Sequence, residues 1–289
     1  MTKETHPKLE LPKLLVDQAV RTALAEDLGL AGDITTDPII APDAQGEATI
    51  VSRQPGVVAG LDLVEAAFKT LDPQSSVARV VDDGGKVESG GAIARVQART
   101  RALLTGERTA LNFLGRLSGI ATLTPPMWRR SKARARACLH AQDDAGLTRL
   151  EKYAVRCGGG VNHRFGLYDA VLVKDNHIAA AGGLAAALER LRPRAGHMVK
   201  VEVEVDTLQQ LEEALRFPIN AVLLDNMDVE TLKKAVTLAK GKVLTEASGG
   251  VNLETVGKIA AAGVDLISVG ALTHSPRNLD SSLEWAPDR

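Results

Sequence analysis

Aromatic residues are scarce in this chain, and neither sign of charge dominates. Phe, Trp and Tyr make up 3% of 289 residues, too few for the stacking platforms that grip single-stranded nucleic acid. Lys and Arg number 35 against 36 Asp and Glu, a formal charge of −1. No global field favours nucleic acid or an anionic membrane, so any anion site must be assembled locally. The two cysteines, Cys138 and Cys157, make neither a disulfide framework nor a zinc site. No apolar run approaches membrane-spanning length, and the opening MTKETHPKLELPK lacks the apolar core of a signal peptide. A soluble, cytoplasmic protein is expected. Apolar residues are plentiful at 45%, enough for one large core or two moderate ones.

The hydrophobic period divides the chain. Residues 13–28 carry Leu14, Val16, Val20, Ala23, Leu24 and Leu28 at helical spacing and stop at Gly29. GDITTDP follows as a polar loop. From Gly46 to Val96 the period falls to two, with strands broken by Pro-Gly and Gly-Gly turns around one helix, LDLVEAAFKTL. The run DGGKVESGGAIARV resembles the turn-strand-turn of lipoyl and biotinyl carrier domains, but presents no modifiable lysine at a hairpin tip. Residues 102–122 read as a long helix on which Arg108 and Asn112 share a face. An Arg on such a face is ordinarily solvated, and its other use is to reach an anion, including one in another subunit. Beyond residue 170, β-branched runs alternate with helices: AVLVK (170–174), VKVEVEV (199–205), AVLLD (221–225), KVLTE (242–246) and LISVG (266–270). That alternation implies a parallel sheet, and its regular return suggests a closed or nearly closed barrel with fewer than eight units visible.

Chemistry concentrates in two places. The stretch 151–178, EKYAVRCGGGVNHRFGLYDAVLVKDNHI, combines three glycines (Gly158 to Gly160), His163 and Arg164, and a Lys-Asp-Asn-His run opening at Lys174. Glycine triplets permit close approach or positive φ, and flanking cations suit carboxylate or phosphate. Singly, each residue is more often a turn or a solvated charge; together they point to a site. The second place is the strand ends, which read Lys174, Glu204, Asp225, Glu246 and Gly270. In α/β barrels the carboxyl ends of the strands line the active site. Two glycine-rich turns, Ser248-Gly249-Gly250 and VGALTHS with Gly270, offer backbone N–H groups to a phosphate. A cationic rim (Arg108, His163, Arg164, Lys174) opposite carboxylates (Glu204, Asp225, Glu246) suggests a multiply charged, phosphorylated small molecule together with a sugar or Mg²⁺.

Taken together, EDLGLAGDITT, TGERTALNFLGRLSGIATLT, LEKYAVRCGGGVNHRFGLYDAVLVKDNHI, VEVEV, LLDNM, EASGGV and VGALTHS closely resemble quinolinate phosphoribosyltransferases over nearly the whole chain. The resemblance implies a hammerhead-like α/β (α+β) N-terminal domain over 1–120, an incomplete α/β barrel over 121–275 and a tail, 276–289, that packs back. It implies reaction of quinolinate with phosphoribosyl pyrophosphate, assisted by Mg²⁺, giving nicotinate mononucleotide, pyrophosphate and CO₂ for NAD biosynthesis. It also implies a homodimer with shared active sites, or a hexamer built from it. Arg108 from the neighbouring subunit, His163 and Arg164 would then clamp quinolinate, and Lys174 would neutralise carboxylate or phosphate. Glu204 and Asp225 would serve the ribose, and Ser248, Gly249, Gly250 and Gly270 the 5′-phosphate. Lys174, Glu204 and Asp225 are the catalytic candidates, with Glu246 among the binding residues.

One segment departs from the pattern. Between TLT (122–124) and LEK (150–152) the family has a run ending Thr-Arg-Lys-Thr-Thr-Pro-Gly-Leu-Arg, whose cations contact both substrates. Here Ala141, Gln142 and Asp143 stand in the aligned place, and Asp143 would repel polyanions. Residues 140–148, HAQDDAGLT, can be encoded CAC GCG CAA GAC GAC GCC GGG CTT ACG. Read one nucleotide later, that string encodes Thr-Arg-Lys-Thr-Thr-Pro-Gly-Leu. The expectation is that residues 125–148 are out of frame between compensating shifts, so the basic run SKARARA needs no function. Were the segment real, a catalytically impaired homologue would be the better reading. A transferase or metal-uptake accessory protein of the same fold with another substrate is disfavoured by the intact Asn-His-Arg and Lys-Asp-Asn-His runs.

Overall fold

The computed structural model describes residues 10–130, 136–139 and 146–285, with no side-chain placement at 128–130, 136–139 and 274. In chain order, α1 (Lys13–Leu28) and α2 (Thr36–Ile39) precede β1 (Gln45–Ser52), β2 (Gly56–Val57), α3 (Leu61–Leu71), β3 (Ser76–Arg79), β4 (Lys86–Val87), β5 (Ala92–Arg99) and α4 (Thr100–Arg130). Then come β6 (Arg136–Leu139), α5 (Thr148–Cys157), β7 (Val161–Asn162), β8 (Val171–Val173), α6 (Asp175–Ala181), α7 (Leu184–Leu191), β9 (Val201–Val205) and α8 (Leu208–Ala214). The chain ends through β10 (Ala221–Asp225), α9 (Val229–Ala239), β11 (Leu244–Ser248), α10 (Val256–Ala261), β12 (Leu266–Ser268), α11 (Ala271–His274) and β13 (Ser281–Trp285). Two compact units result: 1–123 with 153–159 and 276–289, and 124–152 with 160–275.

The first unit is built on an antiparallel sheet ordered β13-β1-β5-β3, with β2 and β4 forming a separate pair. Alternation along β1 buries Ala48, Ile50 and Ser52, and β5 buries Ile93, Ala94 and Val96. Leu61, Leu63, Val64, Ala67 and Phe68 from α3 complete the core, with Leu103, Leu114, Leu117 and Ile120 from α4. Each large apolar side chain so buried contributes about 1.5–3 kcal/mol before entropy is counted. Asp33 accepts the N–H groups of Thr35 and Thr36 and the Thr105 hydroxyl, so its pKa falls to about 2. The GDITTDP loop is thereby pinned to α4. Gly119 lets the chain beyond residue 275 lie against α4, since a Cβ there would overlap the Arg277 carbonyl. That close approach delivers β13 to β1, with Leu283 opposite Ile50.

The second unit is a parallel sheet of seven strands ordered β7-β6-β12-β11-β10-β9-β8. From β8 to β12 neighbours follow chain order, and β12 then pairs with β6, the first strand of the unit. The order is therefore that of a barrel, interrupted at one seam between β7 and β8. Strand-helix alternation dictates the parallel pairing, because each crossover helix returns the chain to the same sheet edge direction. Val203, Val205, Val222, Leu224, Ala247 and Ile267 are all buried on the face that α8, α9 and α10 cover. The other face carries the polar residues of the candidate site.

Candidate active site

Side chains alternate along a strand, so Glu202 and Glu204 share one face of β9, as do Leu223 and Asp225 on β10 and Glu246 and Ser248 on β11. Register places Glu204 beside Leu223 and Leu223 beside Glu246. Two tiers of polar groups result.

The outer tier lies at the carboxyl ends. Lys174 follows β8 directly, Glu204 is the penultimate residue of β9, and Asp225 closes β10. Ser248 closes β11, with Gly249 and Gly250 after it, and Gly270 lies two residues beyond β12. The Lys174 backbone N–H donates to His177 Nδ1 at 2.9 Å, which satisfies one of the orphan donors at the start of α6. Burial raises the Glu204 pKa, the charge of Asp225 raises it further, and the Lys174 ammonium opposes both. Gly249 and Gly250 both hold positive φ, 88° and 59°, which frees their N–H groups to turn toward an anion.

The inner tier is buried. His163 Nε2 lies 2.6 Å from Glu202 Oε2, and the donor atoms of His163, Glu202 and Glu246 all fall within 4.8 Å of one another. The Ser268 hydroxyl donates to Glu246. Burial pushes the Glu246 pKa up to about 7, helped by the Glu202 charge and opposed by His163 and the Ser268 hydrogen bond. Burial alone would depress the His163 pKa, but the Glu202 hydrogen bond and the charges of Glu246 and Glu202 raise it. Glu246 is thus not a strand-end residue. KVLTE does not end its strand at 246; the strand runs Leu244–Ser248, which places Glu246 mid-strand at 1% exposure. The apolar-polar alternation continues through Ala247, and the turn begins only at Gly249.

His163, Arg164 and Glu246 line a cavity of about 1100 Å³, along with Glu202, Lys200 and Asp265. Lys174, Glu204, Asp225, Ser248, Gly249, Gly250 and Gly270 do not line it, because the cavity opens among residues at the amino ends of β9 to β12. Arg164 is held beside the seam, Nη1 donating to the Ala170 carbonyl at 3.1 Å. The intervening turn is tied by Asp169, which accepts the N–H groups of Phe165 and Gly166 at 2.8 Å each. Arg108 belongs to the first unit. It and Asn112 are both exposed on α4, and its guanidinium engages Asp27 through Nε at 3.1 Å and Nη2 at 2.5 Å. Ala141, Gln142 and Asp143 lie outside the described residues.

Glu202 was not singled out from the sequence. The alternation VEVEV puts it on the same face as Glu204, and that period was the available signal. Two carboxylates at adjacent strand ends, Glu204 and Asp225, with Lys174 close enough to be felt electrostatically, can hold a hydrated divalent cation or ribose hydroxyls. The inner trio sets one imidazole beside two carboxylates, and the raised His163 and Glu246 pKa values favour shared protons there over metal ligation.

Comparison with known proteins identifies the family. Residues 33–118 match the N-terminal domain of quinolinate phosphoribosyl transferase and residues 120–284 its C-terminal domain. The probable nicotinate-nucleotide pyrophosphorylase (carboxylating) of Bacillus subtilis strain 168 is 40% identical over 277 residues, 96% of this chain and 93% of that one. A mitochondrial quinolinate phosphoribosyltransferase (decarboxylating) of Nicotiana glauca is 40% identical over 298 residues, 96% of this chain and 83% of its own. Among solved structures, the nicotinate-nucleotide pyrophosphorylase of Francisella tularensis superposes with a TM-score of 0.90 at 36% identity, covering 98% of this chain and 100% of that one. With both domains matched in order and relatives similar along almost its entire length, the chain belongs to the quinolinate phosphoribosyl transferase family.

Proposed function

We propose that this protein transfers the phosphoribosyl group of phosphoribosyl pyrophosphate to quinolinate and releases CO₂, forming nicotinate mononucleotide for NAD biosynthesis. The observation that carries the reading is the outer tier: Lys174, Glu204, Asp225 and the Ser248–Gly250 turn on neighbouring strand ends. Departure of pyrophosphate leaves positive charge at ribose C1, and the Glu204 and Asp225 carboxylates are suited to stabilise it. Quinolinate nitrogen supplies the electron pair for the new C1–N bond while pyrophosphate takes the pair from the broken C1–O bond. The pyridinium so formed accepts electron density from the neighbouring C–CO₂⁻ bond, CO₂ leaves, and that carbon takes a proton. No protein nucleophile is needed, so the site acts by positioning and electrostatics. His163, Arg164 and Lys174 are the cations on hand for the two quinolinate carboxylates.

Mg²⁺ fits the outer tier, where burial and then the charge of Asp225 raise the Glu204 pKa and a cation would offset the repulsion between the two carboxylates. When bound it would neutralise pyrophosphate charge. Arg108 completes the quinolinate clamp from a second subunit, which makes the working unit a cytoplasmic homodimer or a higher assembly of it. Ser248, Gly249, Gly250 and Gly270 hold the 5′-phosphate. Glu246, buried in the inner tier, tunes His163 from within. No described helix is long and apolar enough to cross a membrane.

The assay is quinolinate-dependent release of CO₂ with matching formation of nicotinate mononucleotide, each requiring phosphoribosyl pyrophosphate and Mg²⁺. Turnover is expected. Binding of phosphoribosyl pyrophosphate without turnover would replace this reading with the second one, a catalytically impaired homologue. That second reading rests on Ala141, Gln142 and Asp143 standing where the family carries cations.

A further inference from the structure

Asn226, immediately after β10, is the one non-glycine residue at positive φ among the described residues, at 51°. Asparagine tolerates that left-handed region better than most residues, but glycine would hold it with less strain. Something other than the turn therefore accounts for a side chain here. The carboxamide Nδ2 donates to Asp225 Oδ2 at 2.6 Å. The Asn226 backbone N–H donates to the Ser248 carbonyl at 3.0 Å. Gly249, itself at φ 88°, packs so closely that a Cβ would fall 2.6 Å from Asn226 Cγ and 2.9 Å from its backbone nitrogen. One residue thus touches the end of β10 and the glycine turn after β11.

We infer that Asn226 is a positioning residue that sets the Asp225 carboxylate and the Ser248–Gly250 turn as one rigid unit. The inference rests on the reading of the outer tier as the phosphoribosyl pyrophosphate site. Its Nδ2 occupies one carboxylate oxygen of Asp225 and leaves the other, Oδ1, to a ribose hydroxyl or a hydrated cation. Its bulk fixes how far the 249–250 turn can lean toward β10. The spacing between the group that holds ribose and the group that holds 5′-phosphate then depends on a single side chain. An aspartate would keep the backbone conformation but lose the donor and place a second negative charge beside Asp225.

Asn226→Gly separates the two roles, because it relieves the φ strain and removes only the side chain. Binding of phosphoribosyl pyrophosphate with Mg²⁺, measured by calorimetry on the full-length protein, needs no turnover. The parent should bind, and Asn226→Gly should bind about tenfold or more weakly, the loss of one hydrogen bond to a charged group. Asn226→Asp should be weaker still, while quinolinate KM, where turnover is measurable, stays within about twofold. Thermal unfolding of Asn226→Gly should match the parent, so that weakened binding is not misfolding. In Gly249→Ala the new methyl collides with the carboxamide, and adding Asn226→Gly should recover part of the loss. Equal affinity of the parent and Asn226→Gly would overturn this inference alone. A parent that binds no phosphoribosyl pyrophosphate would overturn the site assignment and this inference with it.

Discussion

Glu202 Oε2 sits 2.6 Å from His163 Nε2 within the parallel sheet, with the two side chains 9% and 10% exposed. Glu202 lies on β9 and His163 just past β7, at opposite sides of the sheet's hydrogen-bonding order. The contact bridges the polar face of the sheet and ties the seam residue His163 to a strand interior. It also raises the His163 pKa, favouring the protonated form that attracts a carboxylate.

The charge of His163 is set by the groups facing it: Glu202 from β9, Glu246 from β11 and the adjacent Arg164. Burial alone would lower its pKa and Arg164 works in the same direction, yet Glu202 and Glu246 raise it above the ordinary imidazole value. His163 therefore keeps its proton to higher pH than a free imidazole does. Glu202→Gln removes the hydrogen-bonded charge, so His163 should deprotonate at lower pH. Quinolinate KM measured against pH should then begin its rise earlier in the variant than in the parent. Superimposable KM curves would leave Glu202 with no part in substrate binding.

Burial pushes the Glu246 pKa up to about 7 in the folded chain, against 4.5 for an ordinary glutamate. Between those values the native state retains a proton that the unfolded chain has released. This contribution to stability is full below pH 4.5 and is lost as pH rises through 7, on the order of 3 kcal/mol in total. Glu246→Gln stays neutral throughout and can still accept from Ser268. Denaturant unfolding at pH 5 and pH 8 should show the variant gaining on the parent as pH rises. An unchanged difference between the two pH values would assign the pH dependence to another group.

Arg108 is 73% exposed and reaches only Asp27 among the described ion pairs, an arrangement that leaves its fork open to exchange partners. If the working unit is the proposed homodimer, Arg108→Ala and Lys174→Ala should each abolish turnover on their own. In a statistical mixture of the two, half the dimers are mixed and each of those rebuilds one of two shared sites, so about a quarter of parental activity should return. Mixed dimers verified by differential tagging that stay inactive would place Arg108 outside the site.

Much of this architecture was legible because hydrophobic period carries it. The helix at 13–28 coincides with α1, since its apolar stripe faces a core with clear ends. The strands β8 to β12 were visible because each is a short segment that buries apolar residues such as Leu172, Val203, Leu224, Ala247 and Ile267. The strands β7 and β6 were not: β7 is only two residues long, and β6 falls where the sequence loses its family pattern. Strand ends were the weakest reading. A buried charge mid-strand looks like a terminus when alternation is taken to stop at the first carboxylate, which is how Glu246 came to the rim. Asn226 gave no periodic signal, because its role comes from a backbone dihedral and a neighbour on the next strand.

The segment 125–148 conflicts with its surroundings at both ends. Pro125 and Pro126 stand inside α4, where each removes a helical hydrogen bond and crowds the preceding turn at about 3 kcal/mol. At the other end, Ala141, Gln142 and Asp143 stand where the family resemblance implies substrate-binding cations. Two unrelated lesions are a poor explanation for faults that a single out-of-frame stretch produces together. Tryptic peptides of the natively expressed protein between Leu117 and Lys152 decide the matter by mass. A peptide opening Thr-Thr-Pro-Gly-Leu, with none for Ala137 to Arg149 as written, is the expected result. It would restore both cations. Recovery of the Ala137–Arg149 peptide, ACLHAQDDAGLTR, would make the segment real. The outer tier would then hold phosphoribosyl pyrophosphate without the charge needed to seat quinolinate beside it.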